Sequence, residues 1–221
     1  SRSTHRQQRE RPQGANRSSV RRAGIDVGGT KFLGVVVDAS GTVVREVRRP
    51  TPVGEDALLR ALTEVADALG PWDSLGIGMP GLVNRSGVVC SSPHLPGVTD
   101  FALRRMLGDR LGRSIAVDND ATCAALAEWK VGAGRGADNL VLVTLGTGIG
   151  GGIVADGRML RGRNGFAGEF GHMVVEPDGI DCPCGRRGCW ERYAAGTGLA
   201  QLARNAVASG RGAGLVERAG G

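Results

Sequence analysis

The sequence predicts a two-lobed α/β fold. Three observations point to it. Apolar strand-like runs alternate with helical stripes along most of the chain. Two segments read as strand, glycine turn, strand: one around Asp26-Val-Gly-Gly-Thr30, the other around Leu145-Gly-Thr-Gly-Ile-Gly-Gly151. Between them, Asp118-Asn119-Asp120 closes a strand where a helix begins, and the carboxyl ends of strands are where α/β proteins build sites. The 221 residues allow one large domain or two smaller ones, with enough chain for a core.

The elements follow in order. Residues 23–26 open as a strand and turn at Gly28-Gly29-Thr30. Residues 31–37 are an apolar run closed by the turn cluster Asp38-Ala39-Ser40-Gly41, and residues 42–48 continue as a third strand. Leu58, Leu62, Val65, Ala66 and Leu69 recur at helical spacing over residues 55–69. Residues 74–79 read as a short strand ending at Pro80-Gly81, residues 101–111 as a helix and residues 114–117 as a strand. An alanine-rich helix is expected over 121–129, a strand over 139–145, a glycine turn over 146–152, a strand over 153–155 and a last helix over 197–209. Residues 210–221 are glycine-rich and read as a frayed or cut end. The lobes are expected to divide near Val117, giving one lobe over 23–117 and a second over 118–221, behind a tail over 1–22.

Charge confines itself to that tail. The formal net charge is +6, yet residues 1–22 hold seven arginines against the single acid Glu10, so the rest of the chain is balanced. The tail is rich in Arg, Ser and Gln and almost free of apolar residues, a composition that predicts disorder. The balanced remainder argues against specific nucleic-acid binding. Arg21-Arg22 is not followed by an apolar segment, which excludes a twin-arginine export signal. The uncharged stretch from Leu140 to Ala155 holds five glycines and two threonines and is too short to span a bilayer. A soluble, cytoplasmic protein is expected.

Three features carry chemistry. Cys182, Cys184 and Cys189 fall within eight residues, with His172 just upstream. Three thiolates and one imidazole fill the corners of a tetrahedral zinc site, and Gly185 and Gly188 let the chain turn tightly enough to aim the sulfurs inward. With no open ligand position, such a site is structural. Cys182 and Cys184 are too close for an easy mutual disulfide, and pairing of Cys189 with Cys90 or Cys123 needs an oxidising compartment that nothing in the sequence suggests. The acids Glu169 and Glu191 flank the cluster on either side, set to hold a polar ligand.

The two glycine turns are the second feature. Glycine lets backbone N–H groups converge on an anion with no Cβ in the way. Gly28, Gly29, Thr30 and Lys31 offer that backbone, a hydroxyl and a cation; Gly146, Thr147, Gly148, Gly150 and Gly151 offer a second cradle. Neither matches the P-loop spacing, and each alone is more often a tight hairpin; two together point to phosphate. The third feature is Asp118-Asn119-Asp120. One capping residue satisfies a helix start, and three polar side chains exceed that need.

These pieces, in this order, resemble the ROK family of sugar kinases and repressors, and within it most the ATP-dependent glucokinases of bacteria. The matching segments are Asp26 to Lys31, Gly78-Met-Pro-Gly81, Asp118 to Ala121, Leu145 to Gly152, Gly168-Glu-Phe-Gly-His172 and Cys182 to Glu191. The resemblance implies the actin-like ATPase (ribonuclease H-like) fold, with sugar and nucleotide in a cleft between lobes. It implies phosphoryl transfer from ATP with Mg2+ to the 6-hydroxyl of a hexose, with glucose as the expected sugar, and it is consistent with a structural Zn2+. Asp120 matches the general base. Gly81, Asn119, Glu169, His172 and Glu191 match the sugar side, His172 serving zinc through one ring nitrogen and sugar through the other. Asp26 and the two glycine loops match the phosphate and magnesium side. Family members continue well past residue 221, so the second lobe is expected to be incomplete, as a fragment or a truncated gene product, with a homo-oligomer expected for the full length. A kinase for another hexose or N-acetylhexosamine, a non-catalytic sugar-binding protein and a repressor are the alternatives; the short polar tail argues against a helix-turn-helix domain ahead of Gly24.

Overall fold

A computed structural model describes residues 20–218 and 220; most of the expected tail lies outside them. The chain runs β1 (Arg22–Val27), β2 (Lys31–Val37), β3 (Val43–Pro50), α1 (Glu55–Ala68), β4 (Ser74–Met79), β5 (Leu82–Val83), β6 (Val89–Ser91), β7 (Thr99–Phe101), α2 (Leu103–Leu111), β8 (Ala116–Asn119) and α3 (Asp120–Val131). It continues through β9 (Leu140–Leu145), β10 (Ile149–Ala155), β11 (Arg158–Leu160), a 3-10 turn (Phe170–His172), α4 (Glu191–Ala194), α5 (Gly196–Ala208) and α6 (Ala213–Arg218).

Five strands form one sheet in the order β3-β2-β1-β4-β8. The first three are antiparallel neighbours, whereas β1, β4 and β8 run parallel. Strand alternation buries Ala23, Ile25 and Val27 of β1 and Phe32 and Val36 of β2 against α1, whose stripe of Leu58, Leu59, Leu62, Val65 and Ala66 is likewise buried. Each such aliphatic side chain contributes roughly 1.5–3 kcal/mol when fully buried. Glu55 and Asp56 open α1 where its dipole favours acids. Strand β8 runs to Asn119, past the expected division at Val117.

The second sheet is antiparallel, in the order β11-β10-β9. Here the structure corrects the expected glycine turn. The turn covers Gly146 to Gly148 only, and β10 begins at Ile149, so Gly150, Gly151 and Gly152 are strand residues. They are small because two faces press on them. A Cβ at Gly150 would stand 2.8 Å from Ala121 Cβ of α3, one at Gly152 would collide with Ala125 Cβ, and one at Gly151, on the opposite face, would collide with Phe170. The glycines therefore let α3 lie directly on β10.

Other boundaries shift. Phe101 ends β7 in the core and is not the start of α2, and Asp118 and Asn119 belong to β8. The glycine-rich end, expected to be frayed, contains α6. The small sheet β5-β6-β7 was not expected, because strands of two or three residues carry too little alternation to read. Among the described residues no helix is long and apolar enough to cross a membrane.

Candidate active site

The parallel strands β1, β4 and β8 bring three sequence motifs to one sheet edge. Asp26 pairs with Gly78, Gly78 with Asp118, and Met79 with Asn119. A Cβ at Gly78 would lie 3.4 Å from Asp120 Cα, so glycine lets the start of α3 settle on β4. Asn119 caps α3: its Oδ1 accepts the N–H of Thr122 at 2.9 Å. Its Nδ2 donates to Gly81 O at 3.1 Å and to Asp120 Oδ1 at 2.9 Å, tying β8 to the Pro80-Gly81 turn. Gly81 has φ +96° and sits against the backbone of Ser91 and Ser92, a position an L side chain would strain.

Asp120 Oδ1 also accepts the N–H of Ala121 at 2.8 Å. Burial pushes its carboxyl above the usual aspartate range; the Ala121 N–H pulls down, the neighbouring Asp26 charge pushes up, and His94 opposes it. Burial raises Asp26 as well. Beneath them Cys123 is pushed up to about 12 by burial, then by Asp118 and Asp120, which makes it an inert thiol at neutral pH.

Glu169 arrives from the other direction, at the end of the loop that follows β11. Burial raises its pKa, His172 opposes the rise, and Asp120 and Glu191 add to it. Glu169 thus stands near enough to Asp120 and Glu191 to feel both charges, although the three acids come from separate elements. Glu191, in the first turn of α4, accepts the N–H of Ile149 on Oε2 at 2.8 Å.

The donor atoms of His172, Cys182, Cys184 and Cys189 all lie within 4.8 Å of one another. His172 Nδ1 is 3.6 Å from Cys182 Sγ, and Cys184 Sγ is 3.6 Å from Cys189 Sγ. Gly185 and Gly188 take φ +87° and +69°, as a knuckle requires. The knuckle is closed by Cys182 N–H to Arg186 O at 2.8 Å and Gly188 N–H to Ile180 O at 2.8 Å, and the Tyr193 hydroxyl fastens it to α4 by accepting the N–H of Ile180 at 2.9 Å.

The two glycine turns are closed by their own backbone. Gly28 N–H donates to Lys31 O at 2.9 Å, leaving Gly29, Thr30 and Lys31 exposed. Gly146 N–H donates to Gly148 O at 3.0 Å, and the exposed Thr147 accepts from Thr197 Oγ1 at 2.8 Å, which sets the start of α5 behind the turn. Gly150 lies outside the turn; its N–H goes to Thr144 Oγ1 at 3.2 Å. Sequence reasoning missed three neighbours of the site: Arg161, which pairs with Asp118; His94, whose backbone O would stand 3.2 Å from a Cβ on Gly29; and Thr197. A lone polar residue, whether in a loop like His94 and Arg161 or at a helix start like Thr197, carries no periodic or spacing signal that would have marked it.

The model of the ROK family matches residues 22–220. The chain belongs to the ROK family. A glucokinase of Streptomyces coelicolor is 38% identical over 185 residues, which are 82% of this chain and 58% of that one. An N-acetylmannosamine kinase of Citrobacter koseri is also 38% identical, over 188 residues, 83% of this chain and 64% of that relative. Among solved structures, a ROK family glucokinase from Streptomyces griseus in complex with glucose and AMPPNP superposes with a TM-score of 0.76 at 37% identity, covering 85% of this chain and 62% of that one. This ROK chain therefore has the actin-like ATPase fold over the part it shares, and it spans about three fifths of the length of the relatives it matches.

Proposed function

We propose that this ROK protein is an ATP-dependent hexose kinase that phosphorylates the 6-hydroxyl of glucose. The observation that carries the reading is the gathering of acids: Glu169 feels the charges of Asp120 and Glu191, and Asp120 feels that of Asp26, which pairs with Gly78 on the neighbouring strand. Carboxylates, an amide and an imidazole suit a sugar because they accept from and donate to hydroxyls in fixed directions. Glu169, Glu191, Asn119, Gly81 and His172 hold and orient the sugar, and Asp120 takes the proton of the attacking hydroxyl. Its burial makes it a stronger base than an ordinary aspartate. Phosphoryl transfer depends mostly on position and on neutralising charge. Asp26, Gly28, Gly29, Thr30, Lys31, Gly146, Thr147 and Gly148 face the nucleotide, and bound Mg2+ would supply the positive charge that the phosphate oxygens require.

His172, Cys182, Cys184 and Cys189 would hold a structural zinc ion. The donor set suits it: a tetrahedron with zinc–sulfur bonds of about 2.3 Å has an edge of roughly 3.8 Å, close to the 3.6 Å between Cys184 and Cys189. The ion would fix the segment that carries Glu169 at one end and Glu191 at the other, leaving His172 Nε2 free for the sugar. A lobe division near Val117, a homo-oligomer and a cytoplasmic location complete the proposal.

The likeness to the N-acetylmannosamine kinase supports a second reading, an N-acetylhexosamine substrate. The test of both is a sugar panel with ATP and Mg2+ on the complete gene product, followed by ADP release. Glucose is expected to give the highest kcat/KM. Turnover of N-acetylmannosamine alone would select the second reading, and no sugar-dependent ADP release would overturn both.

A further inference from the structure

We propose that the Asp118–Arg161 ion pair is the positioning device that fixes the distance between the proposed base Asp120 and the proposed sugar contact Glu169. The inference rests on the functional reading above and deepens it. It also explains why three polar residues stand where a helix cap needs one.

Asp118 is engaged by the protein at both oxygens. Its Oδ1 accepts the N–H of Asn119 at 3.0 Å, while Oδ2 accepts from Arg161 Nε at 2.9 Å and Nη2 at 2.8 Å. A carboxylate engaged at both oxygens is poorly placed to take a sugar or metal as well. The two side chains are 23% and 33% exposed, so the pair is better shielded than an ordinary surface bridge. Strand β8 then carries the position of Asp118 rigidly to Asp120.

On the other side, Arg161 begins the loop that ends at Glu169. That loop is closed on itself, since Ala167 N–H donates to Arg161 O at 3.2 Å. It is pinned a second time, where Arg85 Nε donates to Gly162 O at 2.9 Å. Gly165, at φ +103°, rests on the β5–β6 hairpin, where a Cβ would stand 2.8 Å from Val83 O. At its far end Gly168, at φ +99°, packs on the backbone of Gly151. A loop with so little slack transmits the place of Arg161 to Glu169. The pair joins an element of the first sheet to one that follows the second, and the forked guanidinium specifies direction as well as charge.

The test uses Arg161→Met, Arg161→Lys, Asp118→Asn and the double variant Asp118→Asn/Arg161→Met. Arg161→Met is expected to raise the glucose KM at least tenfold, with the ATP KM within twofold and zinc content unchanged. Arg161→Lys is expected to recover part of the loss. The double variant is expected to be no worse than Arg161→Met, because both remove one interaction. Additive losses, an equal rise in the ATP KM, or a lysine variant no better than methionine would overturn the proposal. Hydrogen exchange of residues 168–172 reads the same coupling without turnover: Arg161→Met should speed it, and an unchanged rate overturns the proposal whatever the catalytic result. If the wild type turns over no sugar while exchange still responds, the kinase reading fails and the coupling stands.

Discussion

Glu191 holds the N–H of Ile149 at 2.8 Å, so the acid that follows the cysteine knuckle is fastened to the strand leaving the second glycine turn. One hydrogen bond thus joins the proposed sugar contact to the proposed phosphate turn. Gly148 makes the bond possible, since a Cβ there would stand 2.6 Å from Glu191 Oε2.

Gly148→Ala is therefore expected to displace Glu191. Hydrogen bonds to charged groups contribute about 1.5–3 kcal/mol, so glucose affinity should fall on the order of tenfold or more, with a smaller change in stability. Isothermal titration with glucose checks it. Unchanged affinity would mean that Glu191 does not hold the sugar through this arrangement.

Asp120→Asn keeps the Oδ1 acceptor for Ala121 and Asn119 and removes the base. A positioned general base is typically worth about 10²–10⁴-fold in rate. The variant should lose kcat on that scale while its glucose dissociation constant stays within a few-fold. Near-normal turnover would remove Asp120 from the role.

The same residue links pH to stability. Asp26, Asp120 and Glu169 all have pKa values raised by burial above 3.8 for the aspartates and 4.5 for the glutamate. The folded state binds these protons more tightly, so the stability they contribute is complete below those ordinary values and is lost as pH rises through the raised ones. Asp120→Asn escapes its share of that loss. Its Tm should exceed that of the wild type at pH 7, and the gap should close as the pH approaches 4. The acid limb of kcat/KM for the wild type should likewise lie above the ordinary aspartate value.

Cys184→Ser removes one of four donors that sit within 4.8 Å. Zinc measured by plasma mass spectrometry should drop from about one ion per chain to well below one, given tetrahedral four-donor sites. Glucose affinity should fall with it, because the knuckle spaces Glu169 from Glu191. A purified wild-type protein without zinc would remove the ion from the proposal.

Much of this was legible in the sequence because it was written in short-range pattern. The α1 stripe, the strand before Pro80-Gly81 and the four soft donors are all local signals, and the structure has α1, β4 and the donor cluster where those signals lie. What escaped was long-range. Arg161 reaches Asp118 across 43 positions of sequence, and Glu191 reaches Ile149 across 42, and no window of sequence reports such pairs. The β10 glycines were misread for a related reason. Glycine signals either a turn or a close approach, and only the position of α3 decides which.

That distinction is open to test. Gly146 has open space where a Cβ would be, so Gly146→Ala should leave folding stability nearly unchanged and act, if at all, on the ATP KM. Gly152→Ala forces a methyl group onto Ala125 Cβ at the α3–β10 contact. Overpacking of that kind typically costs 1–3 kcal/mol, about 2–4 °C of Tm per kcal/mol in a domain of this size. Urea denaturation midpoints and ATP kinetics on the pair separate the two roles. If Gly152→Ala proved as stable as the wild type but lost ATP affinity, Gly152 would act on the phosphate side and not in packing. If Gly146→Ala unfolded readily, the turn would be a structural hinge, and the reading of it as an open anion site would fail.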